Sequence, residues 1–121
     1  MSEILIKQII KKFKKGDFIF KENEFGIEMY IIKSGKVQVS KKVNDKEIIL
    51  EVLTKREFFG EMALFSDKIR TATAVALEDT EVIVITKNML DSQLRNVPPW
   101  FVTMFKAIVR RLEKADKRIA N

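Results

Sequence analysis

The sequence predicts a mainly β domain flanked by helices. From Phe18 to Thr86 short apolar runs keep the two-residue period of strands, while both ends change to the three- and four-residue spacing of helices. Turn residues punctuate the middle at Asn23 and Gly26, Ser34-Gly35, Asn44-Asp45 and Glu78-Asp79. Those intervals are typical of a sandwich, a barrel or a jelly roll. The 121 residues, 46% hydrophobic and 33% charged, suit a single domain over 1–121. That balance supplies enough apolar material for one core and too little charge for disorder.

Taken in order, Ile4 to Phe13 sets Leu5, Ile6, Ile9, Ile10 and Phe13 on one helical face and Lys7, Lys11 and Lys12 largely on another. This predicts an N-terminal helix within residues 1–15. After Gly16-Asp17 the strand period begins at Phe18-Ile19-Phe20 and continues through Ile27 to Ile32. Val37 and Val39 alternate with Gln38 and Ser40, as in a half-buried strand. Glu47 to Leu53, Thr71 to Leu77 and Thr80 to Thr86 complete the β region, residues 16–86. From Lys87 the pattern is helical again over 87–121: a first helix at Asn88 to Arg95, a break at Pro98-Pro99, and a longer helix to about Ile119. Phe101, Met104, Phe105, Ile108, Leu112, Ala115 and Ile119 form its apolar stripe, with Lys106, Arg110, Lys114 and Lys117 mostly outside it.

The composition excludes several chemistries. With no cysteine there are no disulfides, thiolate nucleophiles or zinc–thiolate sites, and with no histidine there is no Ser-His-Asp triad or His-based metal site. No spacing suggests a pair of working carboxylates, so the expectation is a protein that is not an enzyme and holds no metal or cofactor. No run of about eighteen apolar residues and no basic-apolar-small leader is present. A cytoplasmic protein without a transmembrane segment is expected. The net charge of +6 collects at the two ends, from Lys7 to Lys15 and from Lys106 to Arg118. These lysines lack interleaved aromatics, and no helix-turn-helix follows the long helix within these residues, so no DNA-binding domain is expected here.

The residues that carry chemistry lie together in 59–73. Phe59-Gly60-Glu61-Met62-Ala63-Leu64 is followed, nine residues after the glutamate, by Arg70-Thr71-Ala72-Thr73. A short helix opened by glycine would offer backbone N–H groups to an anion. Glu61 can accept from a hydroxyl, and the guanidinium of Arg70 is a fork of donors matched to phosphate oxygens. A ligand carrying both hydroxyl and phosphate fits that set, and a cyclic nucleotide is one. A surface ion pair between Glu61 and Arg70, worth roughly 0–1 kcal/mol, is the bland alternative.

This segment resembles the phosphate-binding cassette of the cyclic-nucleotide-binding domain family. Gly16-Asp17-Phe18-Ile19-Phe20, Met29-Tyr30-Ile31-Ile32 and Ser34-Gly35-Lys36-Val37 resemble that family's first strands and turn. The resemblance implies an antiparallel β-roll (a jelly roll, or double-stranded β-helix) with an N-terminal helix, a short cassette helix and two C-terminal helices. It implies that Glu61 takes the ribose 2′-hydroxyl, Arg70 the cyclic phosphate, and the amides around Gly60, Met62 and Ala63 the rest of the cradle. Thr71 and Ala72 would sit beside the phosphate and under the purine, and Asp116, next to Ala115, near the base. Ile69 stands where the family often has proline, and Asn23 and Arg56 where it often has glycine.

The implied function is a sensor that binds cAMP, or less readily cGMP, and transmits binding through movement of its C-terminal helices to a dimer mate or an unknown effector protein. The alternative is a degenerate β-roll that serves as a protein–protein interaction module without ligand.

Overall fold

The computed structural model describes residues 8–65 and 68–120. Among the described residues eight strands form two antiparallel sheets: β1 (Ile9–Phe13), β2 (Phe18–Phe20), β3 (Glu28–Ser34), β4 (Val37–Val43), β5 (Lys46–Leu53), β6 (Phe58–Phe59), β7 (Thr73–Ala76) and β8 (Thr80–Thr86). One sheet has the order β1-β8-β3-β6 and the other β2-β7-β4-β5. The helices among the described residues are α1 (Met62–Phe65), α2 (Lys87–Leu94) and α3 (Pro99–Ala120). This is the roll with flanking helices that the sequence predicts.

The N-terminal helix expected over Ile4 to Phe13 is not borne out where the structure describes it. Residues 1–7 lie outside the described residues, and Ile9–Phe13 is strand β1, antiparallel to β8 from Ile9 opposite Val84 to Phe13 opposite Thr80. A ten-residue amphipathic run is marginal as a helix, and β-branched Ile9 and Ile10 favour extended backbone. Pairing with β8 supplies backbone partners and covers a strand that would otherwise be an open edge.

The core joins the two sheets. Ile32, Val37, Val82 and Val84 are fully buried, with Phe20, Tyr30, Leu53, Phe59 and Ala74 around them. Phe20 of one sheet meets Tyr30 and Phe59 of the other, with ring centroids 6.1 and 5.9 Å apart, while Tyr30 and Phe59 stand 5.3 Å apart. Such ring pairs contribute about 0.5–1.5 kcal/mol each beyond burial. They make the floor of the site.

Helix α2 starts where Thr86 caps it, its hydroxyl accepting from the Met89 amide at 3.2 Å. Helix α3 begins at Pro99, the first-turn position where the missing N–H costs nothing. Its 22 residues bury Val109, half-bury Phe101 and Phe105, and leave Trp100, Met104, Ile108 and Leu112 exposed.

Among the described residues four non-glycine residues take left-handed backbone: Asn44 at φ 53° and Asp45 at φ 65° in the β4–β5 turn, and Asn23 at φ 74° and Arg56 at φ 77° in two others. Arg56 therefore keeps the conformation of a glycine turn, with its amide donating to the Ile32 carbonyl at 2.8 Å. Left-handed backbone costs an L-residue roughly 1–2 kcal/mol, and glycine's extra unfolded freedom returns part of it. Arg56→Gly is expected to raise stability by about 0.5–1 kcal/mol in urea unfolding, and Asn23→Gly by less, since asparagine tolerates this region.

Candidate functional site

The cassette follows β6. Gly60 takes φ 79°, the chain turns into α1, and the Leu64 amide closes on the Glu61 carbonyl at 3.1 Å. The chain then returns along the strand pair of Asn23 to Gly26. There the Arg70 amide donates to the Glu24 carbonyl at 2.7 Å, the Asn23 amide to the Arg70 carbonyl at 2.8 Å, and the Gly26 amide to the Lys68 carbonyl at 2.7 Å. Phe25 bridges to Ile69 in the same antiparallel pairing. These bonds pin the backbone of Arg70 and point its side chain inward.

Arg70 is only 5% exposed. Its Nη1 donates to the Gly60 carbonyl at 3.2 Å and its Nη2 to the Glu28 carbonyl at 2.9 Å. The guanidinium carbon lies 4.1 Å from the centroid of Phe20 and 5.7 Å from that of Tyr30. Among the described residues its buried Nε has no hydrogen-bond partner. Burial pulls the Arg70 pKa below its ordinary value, while the nearby Tyr30 hydroxyl and Glu28 carboxylate push back. A desolvated guanidinium with a donor left over is a site an anion completes.

Close approach requires two glycines. A Cβ on Gly26 would strike the Arg70 guanidinium, and one on Gly60 would come within 3.0 Å of Nη1. Behind Arg70, the Glu28 carboxylate accepts from Lys11 Nζ at 2.8 Å and from the Tyr30 hydroxyl at 2.7 Å. Burial works to raise Glu28, but the bonds from Lys11 and Tyr30 and the charges of Lys11 and Arg70 outweigh it and hold it below the usual carboxylate range. Tyr30 is pushed up, first by burial and then by its bond to Glu28.

Arg70 opens onto a cavity of about 440 Å³. Every residue of the sequence-predicted cassette site lines it: Gly60, Glu61, Met62, Ala63, Arg70, Thr71 and Ala72. Ala63 differs in one respect from the expectation of a free amide, since its N–H donates to the Gly60 carbonyl at 3.3 Å. Ala115 lines the cavity from α3, whereas the side chain of Asp116 lies outside the described residues.

The sequence reading did not single out the side walls, which are Val39 and Leu50 with Glu51, Phe58 and Ile69. Leu112 of the α3 stripe also faces this cavity. A second cavity of about 360 Å³ lies among α1, α2 and α3, between Leu64, Leu90, Leu94, Phe105 and Val109. Among the described residues no group of His, Cys, Asp and Glu could hold a metal ion. Nor is any helix there long and apolar enough to cross a membrane.

Residues 10–96 match the family model of the cyclic nucleotide-binding domain. The chain belongs to that family. It is similar to a cGMP-dependent protein kinase of Plasmodium berghei, 39% identical over 101 residues, which are 84% of this chain and 11% of the kinase. It is also similar to the cyclic AMP receptor protein of Thermus thermophilus, 32% identical over 105 residues, covering 86% of this chain and 49% of the receptor. The chain thus spans half or less of these curated relatives. Among solved structures, the cAMP-bound form of the EAL enzyme Bd1971 superposes with a TM-score of 0.78 at 28% identity, over 93% of this chain and 30% of that one.

The charge network behind Arg70 predicts an acid sensitivity. Because Glu28 has a lowered pKa in the fold, its contribution is present above the unfolded value near 4.5 and is lost as pH falls through the folded value. Glu28→Gln should therefore flatten the decline of the thermal midpoint below about pH 4.5, measured against the parent chain. Separately, Gly26→Ala should displace the guanidinium and cost about 1–3 kcal/mol in urea unfolding, although alanine is compatible with the backbone there.

Proposed function

We propose that this chain is a cyclic-nucleotide sensor with no catalysis of its own. The observation that carries the reading is the buried Arg70 guanidinium opening, beside Glu61, onto a cavity that Leu112 and Ala115 of α3 also line. Arg70 binds the cyclic phosphate, and its Nε and remaining donors complete the charge pairing. Glu61 accepts from the ribose 2′-hydroxyl. The amides at Gly60, Met62 and Ala63 supply the rest of the cradle, the Ala63 amide exchanging the Gly60 carbonyl for a phosphate oxygen. Thr71 and Ala72 lie beside the phosphate and under the purine.

The ligand is cAMP in preference to cGMP. Related proteins are named for each nucleotide, so the choice rests on groups of this pocket. Asp116 is one, accepting from the adenine amine as α3 closes. Binding draws α3 over the base, since a ligand moves an equilibrium only by its differential affinity for the two states. The cavity among α1, α2 and α3 gives the helix room to repack. The moved helix acts on a second copy of the chain or on an effector protein in the cytoplasm, and exposed Trp100, Met104 and Ile108 form the seam for such a contact.

Isothermal titration calorimetry with cAMP and cGMP tests this directly. Saturable binding of cAMP is expected, weakened about 100-fold or more by Arg70→Ala, with a matching rise in thermal midpoint for the parent chain only. Absence of heat and of thermal stabilisation with either nucleotide at millimolar concentration would leave the interaction-module reading in its place. Trp100, 66% exposed next to Phe101, should report helix motion as a change in emission on binding.

A further inference from the structure

The second cavity, of about 360 Å³, lies apart from the cradle of Arg70, and its lining repeats one plan on two helices. On α2, Leu90 and Leu94 stand one turn apart, and beside them Lys87 and Asp91 do the same. On α3, Phe105 and Val109 are matched by Lys106 and Arg110. Residues four apart share a helix face, while immediate neighbours are turned by about 100°. Each helix therefore gives the cavity an apolar ridge bordered by a charged one. Leu64 of α1, 3% exposed, completes the apolar floor.

Floor and rim together define the kind of ligand that fits. Apolar side chains around an unfilled space forgo the dispersion contacts that close packing supplies. The volume falls at the small end of the range for small-molecule sites, about 300–1,000 Å³. Each apolar ridge spans about 6 Å of helix, which suits a medium-length straight tail rather than a long membrane acyl chain. The rim sets three cations, Lys87, Lys106 and Arg110, against the one acid Asp91. Among the described residues none of these four side chains is in an ion pair or a side-chain hydrogen bond. The rim is left with positive charge that a single anionic head complements.

We propose that this cavity is a second ligand site, for a free straight-chain carboxylate of medium length that antagonises the nucleotide. Its tail lies on the apolar floor, and its head pairs with Lys106 and Arg110. The antagonism, though not the binding, rests on the cyclic-nucleotide reading above. Helices α1 and α3 each line both cavities: Met62 and Ala63 the first and Leu64 the second, Leu112 and Ala115 the first and Phe105 and Val109 the second. A tail in the second cavity takes the room into which α3 repacks when it closes over the base. Carboxylate and nucleotide then weaken each other by the same factor.

The test is calorimetry on the whole chain with hexanoate, octanoate and decanoate. Affinity is expected to rise about fourfold per added methylene until the tail outgrows the cavity, and octylamine should bind about tenfold more weakly than octanoate. Lys106→Gln combined with Arg110→Gln, both at exposed positions, should weaken octanoate about two- to fivefold with an unchanged melt. Leu94→Trp, which fills the cavity, should abolish binding, whereas Arg70→Ala should leave it unaltered. Saturating octanoate should weaken cAMP about fivefold or more and then reach a plateau. No saturable binding of any carboxylate, or equal binding of octylamine, would overturn the site. Loss of octanoate binding in Arg70→Ala, or a decline in cAMP affinity without a plateau, would place the carboxylate in the nucleotide cavity and overturn it too. Anionic phospholipid vesicles that retain the parent but not the double variant would assign these cations to a membrane surface instead. Octanoate binding beside an unmoved cAMP affinity would uphold the site and overturn the antagonism. Octanoate binding with no nucleotide binding would uphold the site and overturn the nucleotide reading.

Discussion

The guanidinium of Arg70, taken out of water over aromatic rings, is the constraint that the rest of the site depends on. Moving an isolated charge into the interior is costly by several kcal/mol, and the protein offsets this with two carbonyl acceptors and the face of Phe20. Each device dictates a feature of the sequence. Gly26 and Gly60 must lack a Cβ for the chain to approach. Phe20, Tyr30 and Phe59 must come from both sheets to build the ring cluster. Glu28 must sit on β3 with its carbonyl toward the arginine and its carboxylate held by Lys11 and Tyr30. A core designed only for stability would replace this cluster with apolar groups at no loss.

That cluster also sets the direction of the cavity. Because Phe20 is a member of the β2-β7-β4-β5 sheet, the arginine lies at one edge of that sheet and the remaining inward face runs toward β5. Ala72 lines the cavity beside the cassette, and the bulge at Leu50 brings one apolar and one acidic side chain of β5 to it. The cavity joins a polar cradle at the cassette, with Glu61 and Arg70, to an apolar wall of Val39, Leu50 and Phe58, and the wall is set by sheet register rather than by the cassette sequence.

The cassette was legible because its parts are adjacent in sequence: Gly60, Glu61 and Ala63 lie on one turn and Arg70 and Thr71 on the next strand edge. The strands from Phe18 to Thr86 and both C-terminal helices were legible from period and turn residues. Ile9–Phe13 was not, because isoleucines at helical spacing with intervening lysines satisfy both periods, and only the waiting edge of β8 decides between them. Gly26, Glu28 and Tyr30 were invisible as site residues because their roles arise from contacts some forty residues distant in sequence, such as Arg70 Nη2 to the Glu28 carbonyl. Glu51 was hidden by the bulge, since a strict alternation would assign it or Leu50 to the outer face. In α3 the stripe was found, but the residue that anchors it, Val109, fell outside the chosen set.

The division of α3 into an anchored and an unanchored part sets a limit on how a ligand can move it. Val109 is its one buried apolar residue among those described, and beyond it Leu112 and Ala115 line the cavity onto which Arg70 opens. To carry the helix from one part in a hundred closed to ninety-nine, a ligand must favour the closed state by about 5.5 kcal/mol. Complete burial of a leucine contributes roughly 1.5–3 kcal/mol, and Leu112 starts partly covered. Apolar contact with the purine therefore cannot supply the whole difference. The remainder must come from polar contacts to the base that exist only when α3 is closed, or from a surface that buries Trp100, Met104 and Ile108 at the same time. On the proposed reading, ligand recognition and the partner contact of α3 are two contributions to one equilibrium, and either can supply what apolar contact with the purine does not.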